Sequence, residues 1–312
     1  MDYYFERISD KNLDAFVHVF NNTFNQQLEK SYFSKKFDTE YTGIKHVGYI
    51  AFSSIDNSPA AFYGVYPCLA TIHHEKIVIA QSGDTATLEK HRKKGLFKAL
   101  HDLTVETCMN EGIQLIYGFP NPNSHPGFTK FNWSTEGITQ HIRMHIKVSF
   151  LIKLFRKIWP VKFKHYQTKK INESIVPPDM IAVNFQDAII DPSNFHIVRN
   201  SPFLNYKINL GSTLIKLTHG TALLSIKGNI LEIGELFSNK KIDCINELID
   251  FAAVCGFDAL DMKLSKKKLM PLAGIKAKNI QVIKSSPLII KVLNEDIKNS
   301  VFEYTGVDFD TF

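Results

Sequence analysis

The chain has 312 residues, 44% of them hydrophobic and 22% charged, with a formal net charge of +6 at pH 7. That length favours two domains, and the balance is that of a globular protein able to bury sizeable cores, which excludes a disordered or fibrous chain. No apolar run approaches the roughly 18–20 residues of a membrane-spanning helix, and the opening MDYYFERISD lacks the pattern of a secretory signal. With Cys68, Cys108, Cys244 and Cys255 in no paired spacing, the expectation is a cytoplasmic protein with reduced thiols.

Ser9-Asp10 reads as a helix start, with Leu13, Phe16, Val17 and Phe20 recurring at helical spacing, and helical patterning resumes over 26–37. Gly48 to Ser53 and Ala60 to Tyr66 read as strands joined by the turn residues Asp56-Asn57-Ser58-Pro59. Leu69 to His73 and Lys76 to Ala80 read as a second hairpin turning at His74-Glu75. From Ile77 to Thr87 a β-rich run leads into a basic turn, His91 to Gly95, and then a helix with Leu96, Leu100, Leu103 and Val105 among its apolar positions. That helix stops at Gly112, and a strand from Ile113 to Phe119 follows. Helices, antiparallel strands and a strand–turn–helix–strand unit together predict a mixed α/β layer fold.

The strand–turn–helix unit is an anion-binding arrangement. Free N–H groups in a helix's first turn point outward, and its dipole adds about half a positive charge there. Arg92, Lys93 and Lys94 add cations to a turn whose backbone N–H groups can form a nest, so the ligand to expect carries phosphates.

Beyond it, Ile142 to Lys162 is amphipathic and basic, with Phe150, Leu151, Leu154, Phe155, Ile158 and Trp159 interleaved among cations. Between Glu136 and Glu173 there are nine lysines and arginines and no carboxylate, so without this segment the chain would turn slightly acidic. A peripheral membrane contact is one reading of it. The plainer one is a linker helix whose apolar face packs between domains while its cations are solvated. The expected division is 1–145 for the first domain, 146–178 for the linker and 179–312 for the second domain. In the second domain, strands are expected at Met180 to Phe185, Thr213 to Thr218, Ala222 to Lys227, Ile230 to Leu236, Ala259 to Leu264 and Pro287 to Leu293. Gly228-Asn229 reads as a hairpin turn, and a helix from Ile242 to Val254 should end at Gly256. His141 and His145 share a spacing but have no Cys or carboxylate partner nearby, so no metal site is expected. Lys266-Lys267-Lys268 reads as a solvated face.

TLEKHRKKGLF, Thr87 to Phe97, resembles the acyl-CoA-binding motif of the GNAT acetyltransferase superfamily. Arg92 and Gly95 hold two of its defining positions, and Phe97 stands where the motif carries Gly or Ala. Asn121, Phe128 and Asn132-Trp133 fall where that family places a cofactor-contacting Asn, a Tyr acid and a Gly-Phe-like pair. The resemblance covers about residues 1–145 and is closest to a tandem-domain bacterial branch. In the second half it is topological, helped by SPFLNYKI (Ser201 to Ile208) and Gly306-x-Asp308-x-Asp310.

The resemblance implies two GNAT-like domains, the first holding acetyl-CoA and the second degenerate and shaping the acceptor site. It implies acetyl transfer from acetyl-CoA to a small-molecule or peptidyl amine, an amino sugar among the candidates. Thr87, Leu88, Arg92, Lys93, Lys94, Gly95, Leu96, Phe97 and Asn121 would hold the donor, a backbone N–H near Leu88 polarising the thioester. The candidate acids and bases are Asp84, Glu89, Ser124 and His125, with the C-terminal carboxylate as a further possibility. Phe128 lacks the hydroxyl that the family's acid would supply. No metal and no specific nucleic acid are expected as partners, and a homodimer is left open. The rival readings are an aminoacyl-tRNA-dependent transferase of the same tandem fold and a non-catalytic binding protein.

Overall fold

The computed structural model describes residues 2–181, 194–265, 274–297 and 300–309. The first elements are β1 (Tyr3–Arg7), α1 (Leu13–Phe24), α2 (Lys30–Phe37), β2 (Val47–Ser53), β3 (Pro59–Ile72), β4 (Glu75–Thr87), α3 (Leu96–Asn110), β5 (Leu115–Gly118), α4 (His125–Lys130) and β6 (Ser134–His145). Then come α5 (Phe150–Ile158), α6 (Pro160–Asn172), β7 (Phe195–Ile197), α7 (Ser201–Asn209), β8 (Thr213–Lys216), β9 (Thr221–Lys227), β10 (Ile230–Phe237), α8 (Lys241–Cys255), β11 (Ala259–Ser265), β12 (Asn279–Val292) and β13 (Phe302–Glu303). They form two compact units, one from Met1–Glu136, Asp191–Val198 and Leu288–Phe302, the other from Gly137–Ile190, Arg199–Pro287 and Glu303–Phe312. The fold is mixed α/β.

In the first unit β1, β2, β3 and β4 are antiparallel neighbours, β4 and β5 run parallel, and the end of β12 pairs antiparallel with β5. Alternation along the strands sends Phe62 to one face of this sheet and Ala61 and Tyr63 to the other. Phe62 joins Phe16, Phe33 and Phe37 beneath α1 and α2, its ring centroid 3.9 Å from that of Phe16. Tyr63 joins Leu96, Leu100, Phe128 and Trp133 beneath α3 and α4. Helices thus cover both faces, and the parallel pair β4–β5 is joined by α3 as a β-α-β crossover.

The strand stretches expected separately at Ala60 to Tyr66 and Leu69 to His73 are one strand, β3, and Pro67 does not break it. Leu69 accepts from the Val198 N–H on the edge that β7 takes, so the nitrogen of Pro67, two residues earlier, faces the same edge. There it lies between the last β2 pair, at Val65, and the first β7 pair, at Ala70, where no ladder bond is lost. The hairpin turns at His73-His74, both at positive φ, rather than at His74-Glu75. The second predicted helix starts later, at Lys30, after Asn25 ends α1 in a left-handed conformation. Ile142 to His145, placed in the amphipathic helix by sequence, is the end of strand β6. Most of the strand expected at Met180 to Phe185, and Lys266 to Lys268, lie outside the described residues.

The second unit has β6, β11, β10, β9 and β8 in that order, with β10 and β11 parallel and the other pairs antiparallel. Here α8 joins the parallel strands, as α3 joins β4 and β5. One face is apolar, with Leu231, Ile233, Leu260 and Met262 against Leu248 and Ala252 of α8. The opposite face carries charge. Asp261 accepts from Arg143 Nη2 at 2.6 Å and pairs with His141 at 3.0 Å, and Glu232 takes Lys263 at 2.6 Å and also Lys227.

Candidate active site: a parted strand pair and the turn at its mouth

Strands β4 and β5 pair only from Ala80↔Ile116 to Ser82↔Gly118. There β5 ends, while β4 runs on to Thr87. At the same place β4 carries an extra residue, because Val65 faces Ser82 but Tyr63 faces Thr85. The bulge lies at Gly83-Asp84, and an extra residue of this kind bends its strand locally. From Gly83 to Thr87 the outer edge of β4 has no partner strand among the described residues. Leu88 donates its N–H to the Ala60 carbonyl at 2.9 Å, so alternation turns the backbone groups of Thr85 and Thr87 to the open edge. The N–H that faces the open edge is therefore that of Thr87, next to Leu88.

The turn after β4 closes on itself. Glu89–His91 form a single 3-10 turn, and Arg92 Nε donates to the Thr87 carbonyl at 3.3 Å. Lys93 (φ 62°) and Gly95 (φ 76°) both take left-handed backbone, the arrangement that turns neighbouring N–H groups toward one point. Gly95 is the N-cap of α3 and has no side chain with which to satisfy the first-turn N–H groups of the helix. Arg92, Lys93 and Lys94 are exposed around it, while His91 is buried, with Nδ1 2.8 Å from the Tyr3 hydroxyl. Burial first, then Lys90 and Lys94, push the His91 imidazole below its usual range, so it adds no charge to the turn.

Phe97 points away from the anion-binding backbone. Its ring meets Phe128 at 5.3 Å and Phe131 at 5.1 Å between centroids, and it lies against Gly127, where a β-carbon would stand 2.6 Å from it. Leu96 is buried in the same core. These two residues seat the start of α3 by packing, and Phe128 is itself a buried part of that aromatic cluster.

The remaining candidates are spread around the parted strands. Asp84, in the bulge, accepts from Lys36 Nζ at 2.6 Å and from the Tyr66 hydroxyl, and the lysine also lies 4.7 Å from the Tyr66 ring centre. Sequence reasoning missed Lys36 and Tyr66, which come from α2 and β3; the glycine of Gly83-Asp84 inside a strand pattern was the available signal for the bulge. Glu89 is exposed on the turn. Asn121 Oδ1 accepts from the N–H groups of Asn123 (2.9 Å) and Ser124 (3.0 Å), holding the loop between β5 and α4. Ser124 Oγ lies 3.3 Å from the Asn121 carbonyl, and His125 Nε2 is 3.4 Å from Thr135 Oγ1. The terminal carboxylate and Asp310 lie outside the described residues. Among the described residues no His, Cys, Asp and Glu side chains gather into a metal-binding group.

A family profile for an acetyltransferase (GNAT) domain matches residues 5–135, which takes in β1 to β5, the parted edge of β4, the turn and α3. Residues 5–135 belong to the GNAT acetyltransferase superfamily. Solved structures extend the likeness of fold to the rest of the chain. A GCN5-related N-acetyltransferase from Kribbella flavida is 10% identical with a TM-score of 0.62, over 95% of this chain and 73% of that one. One from Anabaena variabilis is 12% identical with a TM-score of 0.59, over 94% and 73%. Saccharomyces cerevisiae N-myristoyltransferase with bound myristoyl-CoA is 9% identical with a TM-score of 0.61, over 93% and 79%. No curated protein matches the chain. The GNAT domain makes this an acyltransferase fold suited to an acyl-CoA.

In the second unit the corresponding notch is filled. β10 and β11 pair from Ile230↔Ala259 to Ile233↔Met262, and β10 then bulges and continues to Phe237. The short turn Gly306–Asp308 packs on β10 and β11 there, tied down by Arg199, which reaches Glu235 at 3.1 Å and Asp308 at 2.6 Å. The turn before α8 carries Lys240 at the N-cap in place of a glycine.

Proposed function

We propose that the chain is an acetyl-CoA-dependent N-acetyltransferase acting on an amine, with the donor in the first unit and the second unit a degenerate copy that contributes to acceptor selection. The observation that carries this reading is the unpaired edge of β4 beyond Ser82, lying directly before a helix N-terminus ringed by Arg92, Lys93 and Lys94. An amide-bearing pantetheine arm added along that edge would find the backbone groups of Thr85 and Thr87, and its pyrophosphate would meet the N–H groups of the turn. The Thr87 N–H is then the donor placed to polarise a thioester carbonyl, and holding the amine against it supplies much of the remaining rate.

The four acid–base candidates divide by their surroundings. Asp84 already accepts from Lys36 and Tyr66, so we assign it to holding the bulge, and Glu89, open to water, to taking the proton from the acceptor. With Phe128 lacking a hydroxyl, Ser124, His125 or solvent protonates the departing thiolate. The myristoyl-CoA bound by the yeast neighbour makes donor chain length the first thing to measure. Titration calorimetry should show micromolar-range binding of acetyl-CoA, weakened at least tenfold in Arg92→Ala/Lys94→Ala, and tighter per added carbon only if a longer acyl chain is the true donor. No detectable binding of any acyl-CoA would sink the reading. An acceptor screen by thiol release, over amino sugars, amino acids, polyamines and aminoglycosides, then identifies the amine. Tight, specific tRNA binding at physiological salt would favour the aminoacyl-tRNA reading instead.

A further inference from the structure

Helix α5 is mounted with its apolar side outward. Its inward side is Ile152, near Gly256, and Arg156, whose guanidinium donates to the Gly256 carbonyl at 2.9 Å and to both oxygens of Asp258 at 3.1 Å. The opposite side therefore carries Phe150 (76% exposed), Leu151 (75%), Leu154 (38%) and Ile158 (51%), continued by Trp159 (53%) and Val161 (74%). No residue of α5 is buried. A packed linker helix, the plainer expectation from sequence, would have hidden these side chains. Lys153 and Lys157 flank the apolar stripe, Lys147 precedes it, and Lys162 and Lys164 follow on α6, all exposed and with no carboxylate between Glu136 and Glu173.

We infer that α5 and the start of α6 dock the protein on an anionic phospholipid bilayer, the apolar stripe entering the headgroup–acyl boundary and the lysines meeting lipid phosphates. Charge decides the occupant: a surface of unopposed lysines around bulky apolar side chains fits anionic headgroups over hydrocarbon. A nucleic-acid backbone would use the lysines and leave Phe150, Leu151 and Trp159 without a role. A second copy would bring the same cations face to face. No helix among the described residues is long and apolar enough to cross a membrane, so the contact is with the surface.

Vesicle flotation of the full chain tests this. It should float with phosphatidylcholine–phosphatidylglycerol vesicles and not with phosphatidylcholine alone, with a blue shift of Trp159 emission that is absent in Trp159→Phe. Phe150→Ser/Leu151→Ser and Lys153→Glu/Lys157→Glu should each lower the partition on the order of tenfold or more, while far-UV circular dichroism and melting stay as in the parent, since all four side chains are exposed. Equal flotation with neutral vesicles, or variants that float like the parent, would overturn the inference. So would sedimentation showing a dimer that the apolar variant dissolves, which would give the face to a second copy, or RNA binding lost with the charge variant alone.

Discussion

Asp84 shows how much one residue's surroundings settle that its identity does not. In the sequence it is a carboxylate beside a phosphate-binding turn; in the fold it is the acceptor of a buried lysine, Lys36 being only 4% exposed. Removing the lysine leaves a carboxylate that has lost its counter-charge, which costs about 3 kcal/mol or more, whereas removing both charges costs less. Lys36→Met should therefore lower unfolding stability by that amount in urea titration, and Lys36→Met/Asp84→Asn should recover a large part of it. If Asp84→Asn alone abolishes turnover at unchanged stability and acetyl-CoA affinity, the carboxylate is a base and its assignment to the bulge fails. Gly127 makes a second residue-scale test. A methyl group there would meet the Phe97 ring, so Gly127→Ala should cost about 1–3 kcal/mol by overpacking. Phe97→Leu in the same chain should return most of it, and a cycle with no coupling would show that the ring is not held by this contact.

At the level of elements, the strand–turn–helix unit was legible because its signals are local: alternation in β4, a glycine where φ is positive, and helical spacing in α3. What stayed hidden was set by partners distant in the chain. Pro67 reads as a strand breaker until β7, some 130 residues later, shows that its nitrogen faces a gap between two edge partners. The end of β6 reads as helix because Ile142 and Ile146 continue the i, i+4 spacing of Phe150, Leu154 and Ile158 among cations, although Met144 between them keeps the alternation of a strand. Pairing with β11 decides it. Arg143 and His141 then lie over Asp261, and although burial works to raise it, hydrogen bonds from Arg143 and then His141 hold the Asp261 carboxyl down to about 2. A depressed carboxyl stabilises the fold fully above its ordinary value of 3.8 and loses that contribution as pH falls through about 2. Arg143→Ala should thus cost about 2 kcal/mol at pH 7, and the gap to the parent should narrow below pH 4 as Asp261 protonates. A gap unchanged from pH 7 to pH 3 would show that the loss is one of packing.

For the whole molecule, the first unit is not one continuous stretch, and this makes a prediction about which pieces can fold. Strand β5 is four residues long, and its second neighbour is the end of β12, in register from Ile289↔Gly118 to Val292↔Leu115. Leu288, Ile289 and Ile290 from that distant stretch are buried, as are Phe195 and Ile197 of β7, which pairs with the far end of β3. A chain cut to residues 1–145 would keep the GNAT motif and lose both partners, leaving the β5 edge and the end of β3 open to water and to other chains. It should therefore show a broad urea transition, weak near-UV circular dichroism and no saturable acetyl-CoA binding. The full chain, by contrast, should gain about 2.7 kcal/mol of unfolding stability at acetyl-CoA a hundredfold above its dissociation constant. A fragment that unfolds cooperatively and binds the donor like the whole protein would show that β7 and β12 only cover a unit complete without them. Failure of the fragment with success of the full chain would mean that the donor site, though the residues assigned to hold the donor run only from Thr87 to Asn121, depends on strands supplied from beyond Asp191.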